Sequence, residues 1–133
     1  MINTYEEYLS QIKILTIEQM NQIHKNMIEE IGTNQEALEL YDELLEIATK
    51  YVAIRSKWLL MSREEKLEQD SLRTSYHNST IIHFNMLSRY LKQQGKATIW
   101  REELGNEEEN EYCRKTIGDF ACYLVFINSI NAR

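Results

Sequence analysis

Apolar side chains recur three or four residues apart along most of this chain, which is the spacing of an amphipathic α-helix. Residues 34–61 show the pattern most clearly, because winding them at about 100° per residue collects the apolar positions within half of the helix circumference. Those positions are Ala37, Leu40, Tyr41, Leu44, Leu45, Ile47, Ala48, Tyr51, Val52, Ile54, Trp58 and Leu59. Acidic and basic residues fall on the opposite side, as is typical of a helix that packs against a core.

The helix starts are marked by a Ser, Thr or Asn that precedes Glu or Gln by three residues, a pair that can satisfy the free N–H groups there. The five pairs are Thr4 with Glu7, Thr16 with Gln19, Thr33 with Glu36, Ser62 with Glu65, and Asn106 with Glu109. They predict helices over residues 4–15, 17–31, 34–61, 63–94 and 107–131, with C-terminal caps at Gly32 and Gly95. Residues 1–133 therefore form one all-α domain in this interpretation, an antiparallel bundle of four to five helices.

Composition supports long helices, since the 133 residues contain no proline and 18 glutamates against three aspartates. No stretch reaches the roughly 18 consecutive apolar residues of a membrane span, and no basic segment leads into an apolar one at the N-terminus. We therefore expect a soluble, cytoplasmic protein with no membrane association. Gly-rich phosphate loops and the GxSxG signature of hydrolases are absent, and no cofactor is expected.

Residues 121–127 differ from the other helical segments, because they are apolar all the way round. A helix without a polar face lies either at the centre of its bundle or under a second subunit. Full enclosure is difficult in a bundle this small, so we expect a homodimer with Tyr123, Val125 and Phe126 in the interface.

Charge is unevenly distributed along the chain. Residues 1–48 carry ten acids and two bases, residues 49–101 carry ten bases and four acids, and residues 102–133 carry seven acids and three bases. The resulting net charges are −8, +6 and −4. The basic middle segment could meet nucleic acid or an acidic partner through Lys57, Arg63, Lys66, Arg73, Arg89, Lys92, Lys96 and Arg101. The favoured interpretation is that acidic and basic helices complement each other within the bundle.

Asp70, Arg73 and His77 lie at i, i+3 and i+7 and share one side of the fourth predicted helix. An Arg and a carboxylate beside a His could tune its pKa and make it a general acid or base. The alternative is a partly buried salt bridge and a capped histidine that join two helices.

Arg55 lies centrally on the apolar side of the third predicted helix, where its charge must be paired, and Asp119 and Asp70 are the plausible partners. The hypothesis is therefore a buried polar cluster of Arg55, Asp70, His77 and Asp119. His83 projects into the apolar stripe of the fourth helix, where we expect a hydrogen-bonded core histidine.

Metal binding is not expected. Cys113 and Cys122 lie in one predicted helix about half a turn out of phase and roughly 13 Å apart, which suits buried structural thiols better than a disulfide. The three histidines lack the HExxH spacing and a Glu three positions before them.

The segment Arg73-Thr-Ser-Tyr-His77 resembles the Arg and His motif of HEPN ribonucleases, which implies RNA cleavage by these two residues. That family places at least four residues between them, whereas this chain has three. Glu43-x-x-Glu46 followed by Glu65-x-x-Glu68 is similar to the magnesium-binding carboxylates of all-α nucleotide pyrophosphohydrolases, which close the second motif with Asp instead of Glu68.

Over nearly its whole length the chain looks most like short, uncharacterised helical proteins of low-GC Gram-positive bacteria and their phages. The residues that carry this resemblance are Arg73-Thr-Ser-Tyr-His77-Asn78 and Ile117-Gly-Asp-Phe-Ala-Cys-Tyr-Leu-Val. It implies no activity. The leading hypothesis is a non-enzymatic interaction or regulatory protein with a protein partner. The alternative is a small all-α hydrolase that acts on RNA or nucleotides through Arg73 and His77.

Overall fold

The structure is a computed structural model that describes residues 14–105 and 113–131. Its elements, in chain order, are α1 (Ile17–Ile31), α2 (Gln35–Lys57), a 3-10 helix (Trp58–Leu60), α3 (Arg63–Gln93), α4 (Ile99–Glu103) and α5 (Cys113–Asn131). No strand occurs among the described residues, and the predicted all-α bundle is confirmed. The predicted helix over residues 4–15 lies almost entirely outside the described ranges, as do residues 107–112 of the last one.

Two of the predicted helix starts form complete capping boxes. Thr16 accepts a hydrogen bond from the Gln19 amide while the Gln19 side chain accepts one from the Thr16 amide, and Ser62 does the same with Glu65. The cap of α2 is Asn34 and not Thr33, because Asn34 Oδ1 accepts both the Ala37 amide at 3.1 Å and the Tyr90 hydroxyl at 3.0 Å. The pairs that begin at Thr4 and Asn106 lie outside the described residues.

The core is built around an antiparallel hairpin of α2 and α3, with α5 packed along it. The contacts between Asn34 and Tyr90 and between Tyr51 and His77 fix the antiparallel direction. The largest fully buried apolar side chains come from all five α-helices or their ends: Trp100, Phe84, Phe120, Ile23, Met27, Leu44, Leu87, Leu91, Leu104, Ile117 and Leu124. None of the described helices is long and apolar enough to cross a membrane.

One end of the bundle, which we call the closed end, is covered by α1 and α4. Glu30 on α1 accepts hydrogen bonds from the Thr98 amide at 3.0 Å and from Trp100 Nε1 at 2.6 Å. Arg101 is only 2% exposed and donates to Asn85 Oδ1 at 2.7 Å and to the Gly105 carbonyl at 2.6 Å. Arg101 therefore does not belong to the basic surface that was the alternative interpretation of the middle segment, because its guanidinium forms hydrogen bonds inside the bundle.

The other end of the α2–α3 hairpin extends past the core. The last buried residue of α2 is Tyr51 and the first of α3 is Thr80. Residues 56–76, which we call the hairpin tip, include no buried residue. The tip is therefore a two-helix layer on which the described chain places no further helix.

Candidate functional site

The site lies where α2, α3 and α5 meet, between the core and the hairpin tip. Five side chains define this polar junction: Tyr51, Arg55, His77, Arg114 and Asp119. Arg55 forms a salt bridge with Asp119, and Lys115 Nζ lies 2.9 Å from the second carboxylate oxygen of Asp119. Arg55 and Asp119 keep 30% and 25% of their side-chain surface exposed, so this ion pair is partly screened by water.

His77 is held on both ring nitrogens by one residue. Its Nε2 donates to the Arg114 carbonyl oxygen at 2.9 Å, and its Nδ1 accepts from Arg114 Nη2 at 3.3 Å. The imidazole stacks on the Tyr51 ring with centroids 4.9 Å apart and an interplanar angle of 17°. These contacts fix the ring and assign its proton to Nε2.

The same surroundings keep His77 neutral. Burial lowers its pKa from 6.5 to about 4, and the positive charges of Arg114, Arg55 and Arg73 act in the same direction. The hydrogen bond to the Arg114 carbonyl raises the pKa but is outweighed. At neutral pH the imidazole therefore holds no transferable second proton, and its remaining lone pair already accepts a hydrogen bond.

Arg73 lies beside the junction without joining it. Its Cζ is 4.0 Å from the centroid of the Trp58 ring, a cation–π contact, and its Nη2 is 3.4 Å from Asp70 Oδ1. Asp70 is 60% exposed and pairs with Arg73 one helical turn away. The prediction that Asp70 belongs to a buried cluster with Arg55 is therefore wrong, because Asp119 takes that position from α5.

His83 is also separate from Arg55 and Asp119. Its Nδ1 donates to the Ser79 carbonyl oxygen at 2.7 Å, and its side chain lines a groove with Glu43, Glu46, Ile47 and Lys50. The expected hydrogen bond is present, but the residue is half-buried at a groove and does not lie inside the core.

The two glutamate pairs do not converge on a metal site. Glu43 and Glu46 face the groove beside His83, whereas Glu65 and Glu68 are exposed in the hairpin tip. The length of α3 between Glu68 and His83 corresponds to about 22 Å. Among the described residues, no group of three or more His, Cys, Asp or Glu could hold a metal ion.

The predicted interface residues of α5 have different surroundings. The Tyr123 hydroxyl donates to Asn21 Oδ1 at 3.2 Å, and Val125 packs partly against the core. Phe126 is 58% exposed. The nearby thiol of Cys122 is half-buried, and burial raises its pKa although Arg55 lowers it. The Cys113 side chain is outside the described residues.

Gly118 is the residue that the sequence reasoning missed most clearly. A Cβ at this position would lie 2.8 Å from both Arg55 Nη1 and Tyr51 Oη. A glycine inside a predicted helix is a signal of close approach, and it could have indicated this contact. No sequence pattern pointed to Arg114. Its two hydrogen bonds with His77 form only because the backbone of α5 lies against α3.

Comparisons with family models, curated proteins and solved structures give no match for this chain. The resemblances noted from the sequence rest on their residues alone. The contacts of the polar junction join α5 to the α2–α3 hairpin, and they occupy the groups that acid–base chemistry would need.

Proposed function

We propose that this protein is non-enzymatic and works by binding another protein through its helical surface. The observation that carries the proposal is the exposure of leucines at the hairpin tip: Leu59 is 88% exposed, Leu60 87% and Leu67 74%. Single exposed leucines are ordinary on protein surfaces, but three strongly exposed leucines within residues 59–67, beyond the core, favour an interaction site.

The contacts of Arg73 and His77 favour this function over hydrolysis of RNA or nucleotides. A general acid at neutral pH needs a proton to give, and His77, with a pKa of about 4, has only the Nε2 proton that it donates to Arg114. Arg73 lies against Trp58, where it stabilises the hairpin. Both residues thus have tasks in the fold that do not require a substrate.

The proposal includes a cytoplasmic location and a homodimer. A reducing compartment suits the free, half-buried thiol of Cys122. Two surfaces could support self-association, namely the leucines of the hairpin tip and the α5 surface around Phe126. On α5, Tyr123 and Val125 already contact their own chain, which leaves Phe126 and Ile130 as its large exposed apolar side chains among the described residues.

The experiment is site-specific photo-crosslinking in the cells of origin, with the photoreactive residue at position 60 and a matched probe at the exposed position of Glu39. We expect a discrete adduct from position 60 that untagged protein competes away and that Leu59→Lys weakens. Purified protein and His77→Gln should be equally inactive towards RNA and nucleoside triphosphates. Turnover that disappears in His77→Gln while thermal stability is unchanged would contradict the proposal and favour the hydrolase.

A further inference from the structure

The structure points to an occupant for the hairpin tip: we infer that it packs against the same tip of a second copy of this chain. This inference rests on the proposed function, which includes a homodimer, and it names the surface through which the two copies meet. Two antiparallel hairpins would form a four-helix arrangement around a two-fold axis, in which the same surface patch of each copy meets itself.

The first argument is the missing layer. Along α3, half-buried residues of the tip recur at Lys66, Gln69, Arg73 and Tyr76, a single stripe that faces α2. The remaining positions of α3 between Arg63 and Ser75 are exposed. Helical domains bury their apolar side chains by packing one layer on another, and within residues 14–105 and 113–131 this part of the molecule has one layer only.

The second argument is a self-complementary stripe on α3. Arg63, Leu67 and Asp70 lie at i, i+4 and i+7, so they share one side of the helix in the order basic, apolar, acidic. All three are exposed. A two-fold axis near Leu67 places the leucines of the two copies together and brings Arg63 of each copy opposite Asp70 of the other.

The third argument is the charge balance of the two ends. The hairpin tip carries four cations and four anions: Lys57, Arg63, Lys66, Arg73, Glu64, Glu65, Glu68 and Asp70. Residues 14–48 carry eight acids and one base. Two copies that approached through this acidic segment would repel each other, whereas two tips would not.

The area that a stable interface must bury determines how the two tips pack against each other. A stable interface buries about 800 Å² on each partner, which exposed leucines at the hairpin end alone do not supply. We therefore expect the two copies to lie side by side along the first half of α3, with Leu59 and Leu60 extending the contact, and not to touch end to end.

The test is a charge exchange followed by sedimentation equilibrium over a wide concentration range. Arg63→Glu places two acids opposite each other and Asp70→Arg places two bases, so each single variant should raise the dimer dissociation constant by about tenfold or more. The double variant Arg63→Glu/Asp70→Arg restores opposite charges between copies and should recover most of the affinity. Leu67→Lys should dissociate the dimer without rescue.

The matched control is Phe126→Lys on α5, which should leave the dissociation constant unchanged, and thermal denaturation of every variant checks that the fold is retained. A dimer lost in Phe126→Lys and retained in the charge variants would overturn the inference in favour of α5. A monomer at all concentrations would also overturn it. In that case a competable cross-link from position 60 would still support binding of another protein, although not the homodimer, and its absence would contradict both proposals.

Discussion

The two ends of the α2–α3 hairpin differ in what surrounds them. At the closed end, Trp100 and Arg101 are 1% and 2% exposed, and Glu30, Asn85 and Gly105 accept hydrogen bonds from the groups buried there. At the hairpin tip no residue is buried, and Leu59 and Leu60 extend into solvent. Among the described residues, α1 and α4 thus cover this pair of helices at one end, and no helix covers it at the other.

This difference assigns separate tasks to the two ends. Burial of apolar side chains and the hydrogen bonds of Glu30 and Arg101 stabilise the closed end. The hairpin tip includes no buried residue, so it gains less from burial and leaves its leucines available to a partner. The polar junction lies between them and joins α5 to α2 and α3 through Arg55, His77 and Arg114.

The largest effect is expected at the closed end, from Glu30→Ala. This change leaves the buried Trp100 Nε1–H and the Thr98 amide without their acceptors, and each unpaired donor costs about 1–3 kcal/mol. We expect a loss of about 3 kcal/mol in the free energy of unfolding, measured by urea denaturation with circular dichroism detection.

The matched control is Glu29→Ala, the same change at the exposed preceding residue of α1, which should cost under about 0.5 kcal/mol. Equal losses in the two variants would remove the distinction between the closed end and the surface of the bundle.

Local signals explain how much of the fold could be predicted. The capping boxes at Thr16 and Ser62 form between residues three positions apart, so the sequence contains all of the information that sets those helix starts. At Asn34 the capping bond from the Ala37 amide is local as well, but a second hydrogen bond comes from Tyr90, 56 positions away. The hairpin tip was not predicted, because the apolar periodicity of α2 continues to Leu59 although the partner layer does not.

The second effect concerns the polar junction and the variant Gly118→Ala. The added methyl group would lie 2.8 Å from Tyr51 Oη, and Tyr51 is a rigid side chain with 6% exposure that cannot move aside easily. Overpacking of this kind costs about 1–3 kcal/mol, and the better helix propensity of Ala returns up to about 1 kcal/mol. We expect a net loss of about 1–2 kcal/mol.

A double-mutant cycle with Tyr51→Phe tests the cause. Removal of the hydroxyl makes room for the methyl group, so Gly118→Ala should cost markedly less in the Tyr51→Phe background. If urea denaturation shows that the losses in unfolding free energy of the two single variants add up in the double variant, the contact with the Tyr51 hydroxyl is not the cause of the Gly118→Ala loss.

The polar junction could be predicted only in part, because its contacts join residues that are far apart in the sequence. Arg55 on an apolar helix side required an acid, and the sequence left Asp70 and Asp119 as partners. The choice depended on the placement of α5, which brings Asp119 to Arg55 across 64 positions of sequence. His77 Nε2 donates its hydrogen bond to the backbone carbonyl of Arg114. No sequence pattern predicts which backbone carbonyl of one helix will lie within hydrogen-bond distance of a side chain on another.

The smallest effect is the pH dependence that His77 contributes to the free energy of unfolding. It tests whether the polar junction unfolds before the closed end as the pH falls. The folded-state pKa of about 4 lies below the ordinary value of 6.5, so the neutral imidazole stabilises the fold fully above pH 6.5. As the pH falls from 6.5 towards about 4, His77 becomes protonated in the unfolded chain but stays neutral in the folded chain. The free energy of unfolding therefore decreases over this range. We expect this contribution to be about 1 kcal/mol, because the group is only half-buried.

The measurement is the difference in unfolding free energy between the natural protein and His77→Gln across this pH range, since carboxylates titrate in both proteins and cancel. The difference should shrink as the pH falls, and a constant difference would contradict the assigned pKa.

Amide hydrogen exchange at low pH tests which region unfolds first. Protection should decrease first in residues around His77 and Arg114, while Trp100 and its neighbours at the closed end remain protected. Uniform loss of protection would mean that the two ends unfold as one unit.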